Sequence, residues 1–265
     1  MGRLQNTFES LHRDGKRALV AYLTSADPDE QRSVDAALCV VDQGADVLEI
    51  GVPFSDPSAD GPVIQRAMQR ALEAGGGWRS ALRVVEQIRK ARPSIPLVAF
   101  GYLNPILATG LERSMDMAGR AGVDAMLVVD APHEESRPIA AAAAERGIDW
   151  VSLVAPTTGL VRAQTLAAEA TGFVYVISLT GVTGGDFAGV ERIKPLLKAI
   201  RESTTVPVCV GFGVRDAESA MTVAQVADGV VVGSALVSAL EAAGNGPLDN
   251  VERLVREIRS GVDAV

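Results

Sequence analysis

The chain has 265 residues, 48% hydrophobic and 22% charged, a globular balance with enough length to bury a large core. Its net charge of −8 opposes general binding to nucleic acid, though not the capture of one small anion by backbone amides. No stretch nears the ~20 apolar residues of a membrane span. The N-terminus has no apolar run suited to a signal peptide, so a cytoplasmic location is expected.

Residues 3–13 are expected to form a helix ahead of the first strand. Eight short apolar runs follow: ALVAYLT (18–24), ADVLEIG (45–51), PLVAFGY (96–102), DAMLVVD (124–130), DWVSLVA (149–155), FVYVIS (173–178), VPVCVGFG (206–213) and DGVVVG (228–233). Most are nearly continuous in apolar residues rather than alternating, as in parallel strands buried on both faces. Helical spacing appears between them. Leu82, Val85 and Ile88 share one face before Pro93; Val190, Ile193, Leu197 and Ile200 share another; Val251, Leu254, Val255 and Ile258 a third. An extra helix is also expected after the second run. GGG (75–77) and GNGP (244–247) read as local turns, and nothing divides the chain.

Eight strand–helix units in one chain predict a single-domain (β/α)8 TIM barrel with extra helices over residues 1–265. An open doubly wound sheet fits less well, because no GxGxxG opens a first helix. With aromatics at 4%, the core must be built from Ala, Val, Leu and Ile. Cys39 and Cys209 lie in apolar runs and read as buried thiols. His12 and His133 are far apart, and no spacing suggests a metal site.

In such a barrel chemistry belongs at the C-terminal ends of the strands. There the second run carries a carboxylate, in LEIGVPFSDPSADGP (48–62). Glu49 stands among Val47, Leu48, Ile50 and Val52, and no basic residue occurs from Val41 to Ile64. Apolar surroundings disfavour the charged form, so its pKa should rise toward the range of a general acid or base. Asp56 and Asp60 follow in a loop stiffened by Pro53, Pro57 and Pro62. Asp60, in the more polar setting, is expected to stay ionised, which gives the two carboxyls separate roles. Asp56 by itself is an ordinary turn residue.

Gly-rich turns follow the last three runs: Gly181–Gly185, Gly211-Phe212-Gly213 and Gly233-Ser234, the last at the start of a helical ALVSALEAA. Ser234 could cap that helix, and free amides at a helix start attract a phosphate. No Lys or Arg sits within these turns, so backbone amides would do most of the binding. The residues alone therefore indicate metal-free acid/base chemistry on a phosphorylated metabolite, without identifying it.

LEIGVPFSDPSADGP resembles the signature of the tryptophan synthase alpha chain family. The likeness extends through AYLTSADPD (21–29), FGYLNPIL (100–107), VVDAPHEES (128–136), LVAPTT (153–158), VYVISLTGVTG (174–184), GFGV (211–214) and DGVVVGSALV (228–237), in order. The resemblance implies a TIM barrel that cleaves indole-3-glycerol phosphate to indole and glyceraldehyde 3-phosphate. It implies Glu49 as the proton shuttle, Asp60 as acceptor of the indole N–H, and Tyr175 close by as a third catalytic residue. It implies an indole pocket of Tyr22, Phe100, Leu127 and Phe212. Gly184, Gly213, Gly233 and Ser234 would hold the phosphate, and Thr183 would bond Asp60 when its loop closes. It further implies no cofactor in this chain. The partner would be a pyridoxal-phosphate beta chain in an alpha2beta2 complex, contacted by Pro53–Asp56, Asn104 and Asp130-Ala131-Pro132, with indole passing between the chains.

Three positions depart from the family pattern. Ser58 stands for a larger apolar residue, Ser25-Ala26 for a pair ending in Gly, and Tyr22 where Phe is common. A free-standing indole lyase and a non-catalytic allosteric barrel are the alternatives; the latter predicts loss of Glu49 or Asp60, and both are present. The absence of Lys from the strands opposes an indole-glycerol-phosphate synthase.

Overall fold

The computed structural model describes residues 2–177 and 187–265, and of residues 187–189 the backbone alone. In chain order the elements are α1 (Arg3–Arg13), β1 (Ala18–Thr24), α2 (Glu30–Asp42), β2 (Val47–Gly51), α3 (Pro62–Glu73), α4 (Trp78–Ala91), β3 (Leu97–Gly101), α5 (Leu103–Thr109), α6 (Leu111–Ala121), β4 (Ala125–Val128), α7 (His133–Ala144), β5 (Asp149–Trp150), β6 (Ser152–Val154), α8 (Leu160–Glu169), β7 (Val174–Ile177), α9 (Phe187–Arg201), β8 (Val208–Gly211), α10 (Ala217–Ala224), β9 (Gly229–Val232), α11 (Ser234–Ala243) and α12 (Asp249–Val262).

All strand pairs are parallel, and β1 pairs with both β2 and β9, so first and last strands meet as a barrel requires. The fifth apolar run is two short strands rather than one. β5 pairs with β4 and β6 with β7, and Val151 between them makes the break. Among the described residues the eight expected strands thus appear as nine, in a TIM barrel. The helix before β1 and the two helices after β2 were expected; β3 and β9 are also each followed by two helices. The α4 face formed by Leu82, Val85 and Ile88 is buried, and the helix ends at Ala91, just ahead of Pro93.

Residues alternate between two apolar layers along every strand. On β1, Leu19, Ala21 and Leu23 face the helices, while Ala18, Val20 and Tyr22 join the interior. The same parity sends Leu48 and Ile50 outward and Val47 inward on β2, so Glu49 points into the barrel, beside Tyr22 in register. Leu4 and Phe8 of α1 close the interior from below, with the Phe8 and Phe173 rings 6.1 Å apart. Of the two thiols, Cys209 is buried and Cys39 only partly so.

The lower rim is tied by carboxylates placed just before strands. Asp46, Asp124 and Asp228 accept the amides of Leu19, Leu97 and Val208 respectively, each at 2.8 Å. Arg259 reaches Asp46 at 2.8 Å, and Arg3 and Arg89 both reach Asp124.

Candidate active site

The upper ends of the strands surround a cavity of about 420 Å³. Tyr22, Glu49, Asp60, Phe100, Tyr175, Gly213, Gly233 and Ser234 all line it, so eight residues named from the sequence converge at one place. Thr183 and Gly184 lie outside the described residues.

Glu49 is 1% exposed, and its Oε1 has no hydrogen-bond partner among the described residues. Burial alone pushes its carboxyl up to about 8. Among the described residues no charge opposes the shift: apolar groups, tyrosines and the Cys209 thiol make up the inner layer of the barrel around it. The group can therefore hold or release a proton near neutral pH.

Asp60 reaches the cavity from the loop between β2 and α3. Gly61 caps α3 and Pro62 opens it, which ends the loop directly after Asp60. The setting is less polar than the sequence suggested: burial raises the Asp60 carboxyl, and a hydrogen bond from Tyr102 offsets part of the rise. Tyr102 Oη donates to Asp60 Oδ2 at 2.6 Å and accepts the Ala59 N–H at 3.1 Å, while its ring packs 5.0 Å from Phe54. Sequence reading passed over Tyr102, though it closes the FGY run. Its partner lies 42 residues away in the chain, and no periodicity reveals a contact between two strand ends.

Two tyrosines hold the walls. A Cβ on Gly51 would lie 2.2 Å from Tyr22 Oη, and one on Gly211 would lie 2.4 Å from Tyr175 Oη. Each tyrosine thus lies against a glycine of the next strand, and any larger residue there would drive its ring into the cavity. The Tyr22 and Phe100 rings meet edge to face at 5.1 Å.

Two residues expected in the indole pocket do not line the cavity. Leu127 points inward but is fully buried one level below, and Val129, the next inward position, takes the wall. Phe212 follows Val208 and Val210 in parity and packs in the outer layer against the helices. The alternation Val208, Val210, Phe212 against Cys209, Gly211 is the sequence signal that would have shown this.

At the opposite side of the cavity, Gly213 takes φ +63, a left-handed conformation that suits glycine. Gly233 rather than Ser234 is the N-cap of α11, and no side chain caps that helix. The Ser234 hydroxyl is thereby left to the cavity, together with the first amides of α11. Arg215 also lines the cavity, two residues past Gly213. Among the described residues no group of three or more His, Cys, Asp or Glu could hold a metal ion.

The rim above the cavity joins three segments. Phe54 packs on Tyr102, and the Leu103 amide donates to Asp130 Oδ1 at 2.7 Å. Ser25 ties the end of β1 to β2, donating from Oγ to the Gly51 carbonyl at 2.7 Å and from its amide at 2.9 Å. Ala26 beside it takes φ +59, which accounts for glycine at that place in the family pattern. Nothing in the structure explains Ser58.

Residues 8–264 match the family model of the tryptophan synthase alpha chain. The chain is 45% identical to the tryptophan synthase alpha chain of Dechloromonas aromatica, over 100% of this chain and 99% of that one. It is 44% identical to that of Nitrosococcus oceani, over 100% and 98%. Among solved structures, the tryptophan synthase subunit alpha of Legionella pneumophila superposes with a TM-score of 0.91 at 35% identity, covering 100% of both chains. A chain of Mycobacterium tuberculosis tryptophan synthase does so with a TM-score of 0.90 at 36% identity, covering 98% of both. With a barrel of this topology and matches of this length, the chain belongs to the tryptophan synthase alpha chain family, the subunit of tryptophan synthase that cleaves indole-3-glycerol phosphate.

Proposed function

We propose that Glu49 and Asp60 carry out the cleavage as an acid/base pair, without metal or cofactor in this chain. The observation that carries this reading is the buried Glu49 carboxyl facing the cavity, its Oε1 without a partner among the described residues and its pKa raised to about 8 by burial alone. In the retro-aldol step the indole C3 gains a proton, the bond from C3 to the side-chain carbon breaks, and the hydroxyl on that carbon loses its proton as the aldehyde forms. Protonated Glu49 delivers the first proton and, once ionised, accepts the second, so it ends as it began. Positive charge develops on the indole nitrogen when C3 is protonated. Asp60 Oδ1 accepts the indole N–H and stabilises that charge, since Oδ2 already accepts from Tyr102. Tyr22, Phe100 and Tyr175 hold the ring, and Gly213, Gly233 and Ser234 receive the phosphate. Thr183 and Gly184 are assigned by family likeness alone.

The same reading gives the chain a pyridoxal-phosphate beta-chain partner in an alpha2beta2 assembly. Continuity of the rim from Phe54 through Tyr102 and Leu103 to Asp130 supports it, as does Leu107, which is 49% exposed on α5. This surface would take Asp56, Asn104 and Pro132 to the partner. The two free cysteines suit a reducing compartment, and we assign the chain to the cytoplasm.

The test is release of indole from indole-3-glycerol phosphate, measured with and without a beta chain. Slow release alone and a large gain on adding the partner are expected. Fast release alone would point to a free-standing lyase, and no release in either condition would overturn the reading.

A further inference from the structure

We infer that Arg215 is a phosphate-binding and substrate-selecting residue of this site, supplying the full positive charge that the glycine turns lack. The inference rests on the assignment of the phosphate to the Gly213 and Ser234 side of the cavity.

Arg215 is the sole cation among the described residues that line the cavity. The sequence outside those residues, from Ser178 to Asp186, adds no Lys or Arg and contributes one carboxylate. A phosphate monoester dianion entering this cavity therefore meets Asp60, in a chain of net charge −8, with partial charges from backbone amides as its other attraction. A guanidinium turned toward the phosphate side would reverse that balance. Its planar fork also suits two phosphate oxygens at once.

The local geometry leaves the group available. Its backbone is fixed, because the Arg215 amide donates to Ser219 Oγ at 3.1 Å. Its side chain is 61% exposed, and its one ion-pair contact among the described residues, to Asp216 Oδ2, is long at 3.6 Å. Asp216 is engaged elsewhere: its Oδ1 caps α10, accepting the Ser219 amide at 2.8 Å and the Ser219 hydroxyl at 2.6 Å. The guanidinium is thus anchored at its root and loosely held at its tip, next to the turn that faces the phosphate.

The experiment compares wild type with Arg215→Gln and Arg215→Lys in the presence of the beta chain. For Arg215→Gln the KM for indole-3-glycerol phosphate should rise about tenfold with kcat changed less than twofold, and the difference should shrink as salt is raised. Arg215→Lys should recover part of the loss. In direct binding, the Kd for glycerol 3-phosphate should rise by a similar factor, while that for indole should not move. An unchanged Kd for glycerol 3-phosphate, or equal losses for indole and glycerol 3-phosphate, would overturn the inference. Failure of wild type to cleave the substrate would instead overturn the functional reading beneath it.

Discussion

At the lower end of the barrel Asp124 is 7% exposed and meets Arg3, Arg89 and the Leu97 amide; at the upper end Glu49 is 1% exposed and its Oε1 has no hydrogen-bond partner among the described residues. Asp46 sharpens the contrast. Burial raises its carboxyl too, but the Leu19 amide and Arg259 pull it back. Both ends bury carboxyl groups, yet among the described residues the upper end leaves its carboxyl without a compensating charge. An ion pair at Asp124 holds strands and helices together. An unpaired Glu49 destabilises the fold when ionised and keeps its proton at neutral pH. Stability and chemistry are thereby separated along the barrel axis, as the architecture allows.

Exchanging the roles of the two ends should give opposite phenotypes. Glu49→Gln should lower turnover about a thousandfold while the circular dichroism spectrum stays unchanged, because the amide matches the carboxyl in size and removes only the proton transfer. Retention of near-normal turnover would refute the acid/base role. The same variant carries a stability signature. The folded-state pKa of Glu49 is raised to about 8 from 4.5, so its favourable contribution is present below the unfolded value and is lost as pH rises from about 4.5 through 8. Between pH 5 and pH 8, Glu49→Gln should therefore gain about 3 kcal/mol on wild type in urea unfolding.

Asp124→Ala should do the reverse. It leaves Arg89 and the Leu97 amide without their partner and should cost about 3 kcal/mol in urea unfolding, with kcat of the folded fraction nearly unchanged. A large kcat loss in that variant would break the separation of the two ends.

Tyr102→Phe is expected to have a smaller effect. It removes the bond to Asp60 Oδ2 and should lower kcat/KM about tenfold. Since that bond lowers the Asp60 pKa, its loss should move the acidic limb of the kcat/KM profile to higher pH. An unmoved limb would assign Tyr102 a packing role only. Smallest of all, Ala26→Gly should relieve the left-handed backbone at φ +59 and raise stability by about 0.5 kcal/mol, the strain relieved being partly offset by glycine's chain entropy.

Much of this contrast was legible in the chain. The continuous apolar runs marked the strands, and Glu49 was conspicuous because a carboxylate in such a run has no local cation. Those are short-range patterns, which periodicity carries. What escaped were matters of direction and long-range contact. Phe212 faces outward because parity continues through Val210, although a glycine turn surrounds it. Tyr102 finds Asp60 only once β3 lies beside β2. The break at Val151 depends on pairing with different strands on its two sides. Arg215 lies outside its glycine turn in sequence and reaches the cavity only because the chain turns at Gly213.

The most direct test is a titration of Glu49 itself, by infrared difference spectroscopy of the carboxyl band in the substrate-free protein with Glu49→Gln as the blank. A band that loses its proton with a midpoint near 8 is the result expected from an uncompensated buried carboxyl. A midpoint in the ordinary range near 4.5 would show that a charge or hydrogen bond compensates Glu49 after all, and would contradict the account.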